Sequence, residues 1–147
     1  QNYNGVDGDS APSTELYAII SSLSGVPIDQ RFAVTGSVNQ KGVIQPIGGV
    51  TEKIEGFFAV CKSRGLKDNA VIIPKQNVRD LVLKDEVIEA VKDGRFSIYA
   101  IEHISEGVEL LLGKKFGELN KKGNYPRGTV NYLVHKKLKD YNAKSEE

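Results

Sequence analysis

Ala70-Val71-Ile72-Ile73-Pro74 and Phe96-Ser97-Ile98-Tyr99-Ala100-Ile101 decide the fold. The first is a short apolar run ended by proline, which predicts a buried strand. The second predicts another strand. Between them, Asn77 is placed to cap a short helix running through Val82, and Lys84–Lys92 forms an amphipathic helix stopped by Gly94. After the second strand, Ser105 is placed as the cap of a helix through Leu112, with Gly113 as its stop. The order strand, helix, strand, helix predicts right-handed crossovers over a partly parallel sheet. The fold class is therefore α+β: a mixed, partly parallel sheet with flanking helices.

Upstream, Val50, Ile54, Phe57, Phe58 and Cys61 mark the apolar side of a helix from Val50 to Ser63, bounded by Gly48-Gly49 and Gly65. Arg31–Val38 reads as a strand and Asn39-Gln40-Lys41-Gly42 as a tight turn. Phe32–Pro46 is thus expected to form a β-hairpin. Ala11, Leu16, Ile19, Ile20 and Leu23 recur at helical spacing, with Pro12 in the first turn and Gly25 as the stop. Downstream, Lys114–Tyr125 is rich in Lys, Gly and Asn and reads as a linker. Thr129–Tyr141 reads as a last helix with Val130, Leu133, Val134, Leu138 and Tyr141 on one side. The polar tail from Asn142 is expected to be disordered.

The composition excludes several classes. The 147 residues suit one ordinary domain, with 39% hydrophobic and 27% charged residues. A net charge of +1 gives no electrostatic case for nucleic-acid binding. No apolar run approaches the ~20 residues of a membrane span, and no signal peptide is visible. The one cysteine, Cys61, cannot form an intrachain disulfide and reads as a core thiol. The two histidines, His103 and His135, lie in no motif, and no metal site is expected. The chain opens at Gln1 and contains no methionine, so a piece of a longer protein is expected.

Phosphate loops of the Walker type, the dinucleotide fingerprint and the hydrolase nucleophile elbow are all missing. Two local features remain. Asp7-Gly8-Asp9-Ser10-Ala11 places a serine at an expected helix start, where it is a cap in the ordinary case and a nucleophile in the functional one. The free N–H groups of Ser10 and Ala11 would there face a tetrahedral oxyanion. Gly48-Gly49-Val50-Thr51-Glu52-Lys53-Ile54 places Lys53 one turn into a helix, beside the Gly48-Gly49 turn and Ile54, which are expected to bury it. A free lysine titrates near ~10.4, so a lysine acts as a base only where burial or a neighbouring cation favours the neutral amine.

Three strings tie these features together: Gly5-Val6-Asp7-Gly8-Asp9-Ser10-Ala11, Ala33-Val34-Thr35-Gly36-Ser37-Val38 and Ile47-Gly48-Gly49-Val50-Thr51-Glu52-Lys53-Ile54. In order and spacing they resemble the proteolytic domain of the Lon ATP-dependent proteases, and the Asp-Gly-Asp-Ser form resembles the B-type branch and its bacterial relatives. The likeness continues through Ile73-Pro74 and Asn77-Val78-Arg79-Asp80-Leu81 to about Gly113. Asn124-Tyr125-Pro126-Arg127-Gly128-Thr129-Val130-Asn131 resembles the C-terminal extension of those bacterial relatives.

The resemblance implies a serine endopeptidase with a Ser–Lys dyad, Ser10 as nucleophile and Lys53 as base. It implies supporting roles for Thr35, as a hydrogen-bond partner of the lysine, and for Asp7 in the loop before the serine. Asp7 or Asp9 facing Lys53 would hold it protonated, so both must point away or pair with it only in a resting state. Residues 1–113 are expected to form the peptidase domain, lacking the strands that precede the serine loop in the family, and residues 114–147 a linker and helical extension. The resemblance further implies polypeptide substrates, a cytoplasmic ring of six copies, and no cofactor on this chain, ATP and Mg belonging to an ATPase module outside it. Two other readings compete: a non-catalytic assembly module that keeps the fold, and a small-molecule amidase using the same pair. An intact Ser10/Lys53 pair speaks against the first.

Overall fold

A computed structural model describes residues 10–145. In chain order the elements are β1 (Ala11–Pro12), α1 (Ser13–Ser24), β2 (Phe32–Val34), β3 (Ser37–Val38), β4 (Ile44–Gln45) and α2 (Val50–Ser63). There follow β5 (Asn69–Pro74), a 3-10 helix (Lys75–Asp80), α3 (Asp85–Lys92), β6 (Phe96–Ile101), α4 (Ile104–Leu112) and α5 (Val130–Ser145). Helices and strands occur together, with one parallel and one antiparallel sheet, consistent with the expected α+β class. The chain divides into two compact units. One takes the chain to Thr14 together with Gln30–Ile104, and the other takes Glu15–Asp29 together with Ser105 onward.

In the first unit, β2, β5 and β6 form a parallel sheet in that order, with Phe32 opposite Ala70 and Asn69 opposite Phe96. Every residue of β5 is buried, as a central parallel strand covered on both faces must be. On α2, Val50, Ile54, Phe58 and Cys61 fall on one face and are buried. The first three pack with Val71 and Ile73 of β5, Val87 and Ala90 of α3 and Phe96 of β6 into one core. The Phe58 ring meets the Phe96 ring edge-on, with centroids 5.2 Å apart. Cys61 is the buried thiol expected of it.

A second, antiparallel sheet runs β1-β3-β4. The expected hairpin over Phe32–Pro46 is only half right. Its turn forms as read, with Asn39 Oδ1 accepting from the N–H groups of Lys41 and Val43 at 2.9 and 3.0 Å. Its first strand, however, breaks at Thr35-Gly36. Upstream residues pair with β5 and downstream residues with β4. Gly36 has φ +100°, and a Cβ there would lie 3.1 Å from the Pro74 ring. The strand changes sheets where only glycine fits.

Three terminal assignments also move. Pro12 is in β1, not in a helical turn, because Ala11 and Pro12 pair with Val38 and Ser37. Ser105 lies inside the first turn of α4 instead of capping it. Asn77 lies buried within the 3-10 helix and caps nothing.

The second unit buries Tyr17 of α1, Val108, Leu111 and Leu112 of α4 and Val130 of α5. Tyr17 packs against Gly107, where no side chain would fit. The stretch expected as a linker is pinned down instead. Phe116 N–H donates to Glu109, and the carbonyls of Lys115, Phe116 and Gly117 accept from Val130 N–H, Asn131 N–H and the Asn131 side chain, each at 2.9 Å. Thr129 Oγ1 caps α5 by accepting from Tyr132 N–H. The helix continues to Ser145, so the first part of the tail expected to be disordered is helical. Its apolar stripe is covered only at the start: Leu138 and Tyr141 are 45% and 50% exposed. Among the described residues no helix is long and apolar enough to cross a membrane.

Candidate functional site

Ser10 is partly buried and stands immediately before β1. The chain after it is fixed to Gly36 by Ser13, which is wholly buried and donates to the Gly36 carbonyl twice, from N–H at 3.0 Å and from Oγ at 2.7 Å. This corrects the placement of the serine at a helix N-terminus, since the helix starts only at Ser13. Alternate residues of an antiparallel strand donate to the same neighbour. With Ser13 N–H directed at Gly36 O, the N–H of Ala11 also points toward β3, opposite Val38.

Lys53 lies in the first turn of α2, its N–H donating to Gly49 O at 3.1 Å. Gly49 occupies the cap position with φ +70° and provides no side-chain cap. The Lys53 side chain is exposed, whereas its neighbour Ile54 is fully buried. Successive helical residues are rotated by about 100°, so the two point to different sides. The expectation that Ile54 and the Gly48-Gly49 turn bury the amine is therefore overturned.

Thr35 sits at the strand break. Its N–H and its hydroxyl both donate to Ile72 O, at 3.1 and 2.9 Å. With the hydroxyl proton committed, the oxygen keeps lone pairs able to accept from an ammonium or amine. Asp7 and Asp9 lie outside the described residues. His103 is in contact with the β3–β4 turn, Nε2 lying 3.1 Å from Lys41 O, and His135 meets the Tyr125 ring edge-on in the other unit. Among the described residues no cluster of three or more His, Cys, Asp or Glu could hold a metal ion.

The residue that sequence reasoning misplaced is Asn77. Only 2% exposed, it holds both polar groups of Ile47: Oδ1 accepts from Ile47 N–H at 2.9 Å and Nδ2 donates to Ile47 O at 2.9 Å. A further bond from Nδ2 to Asp80 at 3.0 Å fixes the amide's orientation. Nearby, Thr51 of α2 donates to Asp80 O and accepts from Val82 N–H, at 3.4 and 3.2 Å. A surface groove of about 580 Å³ runs along this junction, past Gly48, Gly49, Glu52 and Asp80. A larger cavity of about 680 Å³, lined by Phe58, Cys61, Asn69 and Phe96, lies at the opposite end of α2 and takes in neither Ser10 nor Lys53.

A family model for the Lon protease (S16) C-terminal proteolytic domain matches residues 4–114. A Lon protease homolog of Escherichia coli is 51% identical over 113 residues, covering 76% of this chain and 19% of its own length. A homolog of Haemophilus influenzae is 39% identical over 139 residues, covering 94% of this chain and 23% of its own. An archaeal Lon protease of Archaeoglobus fulgidus is 41% identical over 122 residues, covering 82% of this chain and 18% of its own. The chain thus spans about a fifth of the length of these relatives.

Proposed function

Since the chain belongs to the Lon protease (S16) proteolytic-domain family, we propose that it carries the serine-endopeptidase step of an ATP-dependent, Lon-like protease acting on unfolded polypeptides. The supporting observation is that the family match spans both Ser10 and Lys53, with Lys53 presented on the outer side of a helix whose inner side is locked into the core.

Ser10 Oγ attacks the scissile carbonyl as its proton passes to the neutral Lys53 amine. The carbonyl oxygen becomes an oxyanion, stabilised by backbone N–H groups of the serine segment. As the tetrahedral species collapses, the C–N bond breaks and Lys53 returns the proton to the leaving amine. Water then attacks the acyl ester, losing its proton to Lys53, and Ser10 recovers a proton as the carboxylic product departs. Thr35 accepts a hydrogen bond from the amine and orients it. Bound polypeptide laid over the exposed Lys53 excludes water from the reacting groups. In the full-length protein, ATP and Mg act on an ATPase module outside this chain, and the copies form a cytoplasmic ring of six.

The test is made on the full-length protein. A fluorophosphonate probe is expected to label Ser10, and Lys53→Ala is expected to abolish both labelling and peptide hydrolysis with the fold intact. Hydrolysis retained in Lys53→Ala removes the dyad. An unlabelled, inactive wild type favours the non-catalytic assembly module instead.

A further inference from the structure

The first turn of α2 has no side-chain cap, yet it carries the residue assigned as base. What holds that turn comes from a distant segment. Asn77 grips the N–H and C=O of Ile47 like a complementary peptide group. Two residues later Gly49 accepts from Lys53 N–H. Thr51 ties the same turn to Asp80 and Val82.

Resting on the dyad reading above, we propose that Asn77 is a positioning residue for Lys53: its clamp on Ile47 sets where the Gly48-Gly49 turn ends and so where the amine stands relative to Ser10, with Thr51 as a second tether. The side chain suits this role. Ile47 presents one donor and one acceptor, and a carboxamide matches both at once. Aspartate offers only acceptors, and serine is too short to span both groups. The Asp80 carboxylate accepts from Nδ2 and selects the amide orientation that the clamp needs. The glycines between clamp and helix give that turn no stiffness of its own. Once the clamp is cut, Lys53 keeps its helix but loses its registration.

Displacement of a base by about 1 Å can cost about 10²-fold in rate. Asn77→Ser in the full-length protein is therefore expected to lower kcat for an unfolded polypeptide by about 10²-fold and to slow fluorophosphonate labelling of Ser10 by a similar factor, with KM within about twofold. Asn69→Ala is the control. Asn69 is also buried in this unit, where it donates to Arg31 O, and its loss is expected to lower thermal stability without changing kcat. A merely structural role for Asn77 would make the two variants alike. A folded Asn77→Ser with kcat within about threefold of wild type overturns the proposal. If Asn77→Ser does not fold, Thr51→Val cuts the second tether. A drop in its kcat of about tenfold at unchanged KM supports the proposal, and an unchanged kcat overturns it. Lys53→Ala separates the two levels: if it is inactive while Asn77→Ser is active, only the positioning role fails, and if it is active, the dyad itself fails.

Discussion

Replacing Gly36 with alanine perturbs the point where one strand leaves the parallel sheet for the antiparallel one. Two costs arise. At φ +100° an L-residue is strained by about 1–3 kcal/mol. The new Cβ would also stand 3.1 Å from the Pro74 ring and 3.4 Å from the Ile44 side chain, both in strands, so neither can swing aside as a flexible side-chain end would. Overpacking of this kind costs about 1–3 kcal/mol. The total centres on about 4 kcal/mol, a large part of an ordinary domain's stability. Gly65→Ala isolates the first cost. It also has positive φ, at +65°, but nothing lies within 4 Å of its would-be Cβ, so strain of about 1–2 kcal/mol is all it should show. Urea titrations followed by circular dichroism measure both variants, with the slope checked for constancy. Because Ser13 hangs from the Gly36 carbonyl, hydrolysis should also fall in Gly36→Ala more than in Gly65→Ala. Equal destabilisation by the two substitutions would refute the reasoning, since it would mean that the sheet crossing imposes no packing constraint.

Lys53→Arg is expected to eliminate hydrolysis because guanidinium stays protonated, while urea stability stays within about 0.5 kcal/mol because the side chain is exposed. Phe58→Ala removes a ring from the first unit's core and is expected to cost about 3–5 kcal/mol in the same titration. The Tyr17 hydroxyl is buried with no hydrogen-bond partner among the described residues, so Tyr17→Phe is expected to raise stability by about 1 kcal/mol, and a loss instead would reveal a partner. Alkali should weaken the fold through two groups. Burial, then the nearby Glu106 carboxylate, push the Tyr17 phenol up from 10.0, and burial pushes the Cys61 thiol up from 9.0 against the opposing pull of Arg64 and a backbone hydrogen bond. The unfolded chain then releases protons that the folded chain retains, so the contribution is whole below pH 9.0 and declines as pH rises through 9.0 and then 10.0. Urea midpoints at about pH 8 and about pH 10.5 check this: the fall should be smaller in the Tyr17→Phe, Cys61→Ala double variant than in wild type.

What could be read from the sequence was what is encoded locally. The bounds of α2 from Val50 to Ser63 follow from apolar spacing between glycine stops and those of β6 from Phe96 to Ile101 from the apolar run after Gly94, and the structure keeps both. The parallel pairing of β5 with β6 follows from the helix between them. The misreadings arise where a distant partner decides. Nothing within Arg31–Val38 announces that Thr35 will donate to Ile72 O and end one sheet. Pro12 is a good helix starter by itself, and its pairing with Ser37 outweighs that preference. Asn77 looks like a cap because local spacing cannot reveal a partner 30 residues away. At the candidate site, Ser10 and Lys53 came from motif order, not from chemistry legible in either residue, and the exposure of Lys53 against the burial of Ile54 needed the helix's actual rotation.

That rotation has a consequence for how such a domain changes over generations. The side of α2 that keeps the helix in place is Val50, Ile54, Phe58 and Cys61, while Lys53 sits outside that set. Substitution there leaves the core's volume and hydrogen bonds untouched, so, on the dyad proposed above, a lineage can abandon or recover hydrolysis at this position with little cost in foldedness. The reverse also holds: the inner face can be repacked for thermal tolerance without directly altering the amine. Durability and chemistry in this helix are accordingly free to drift apart, and a descendant that has lost its activity would still carry an intact fold.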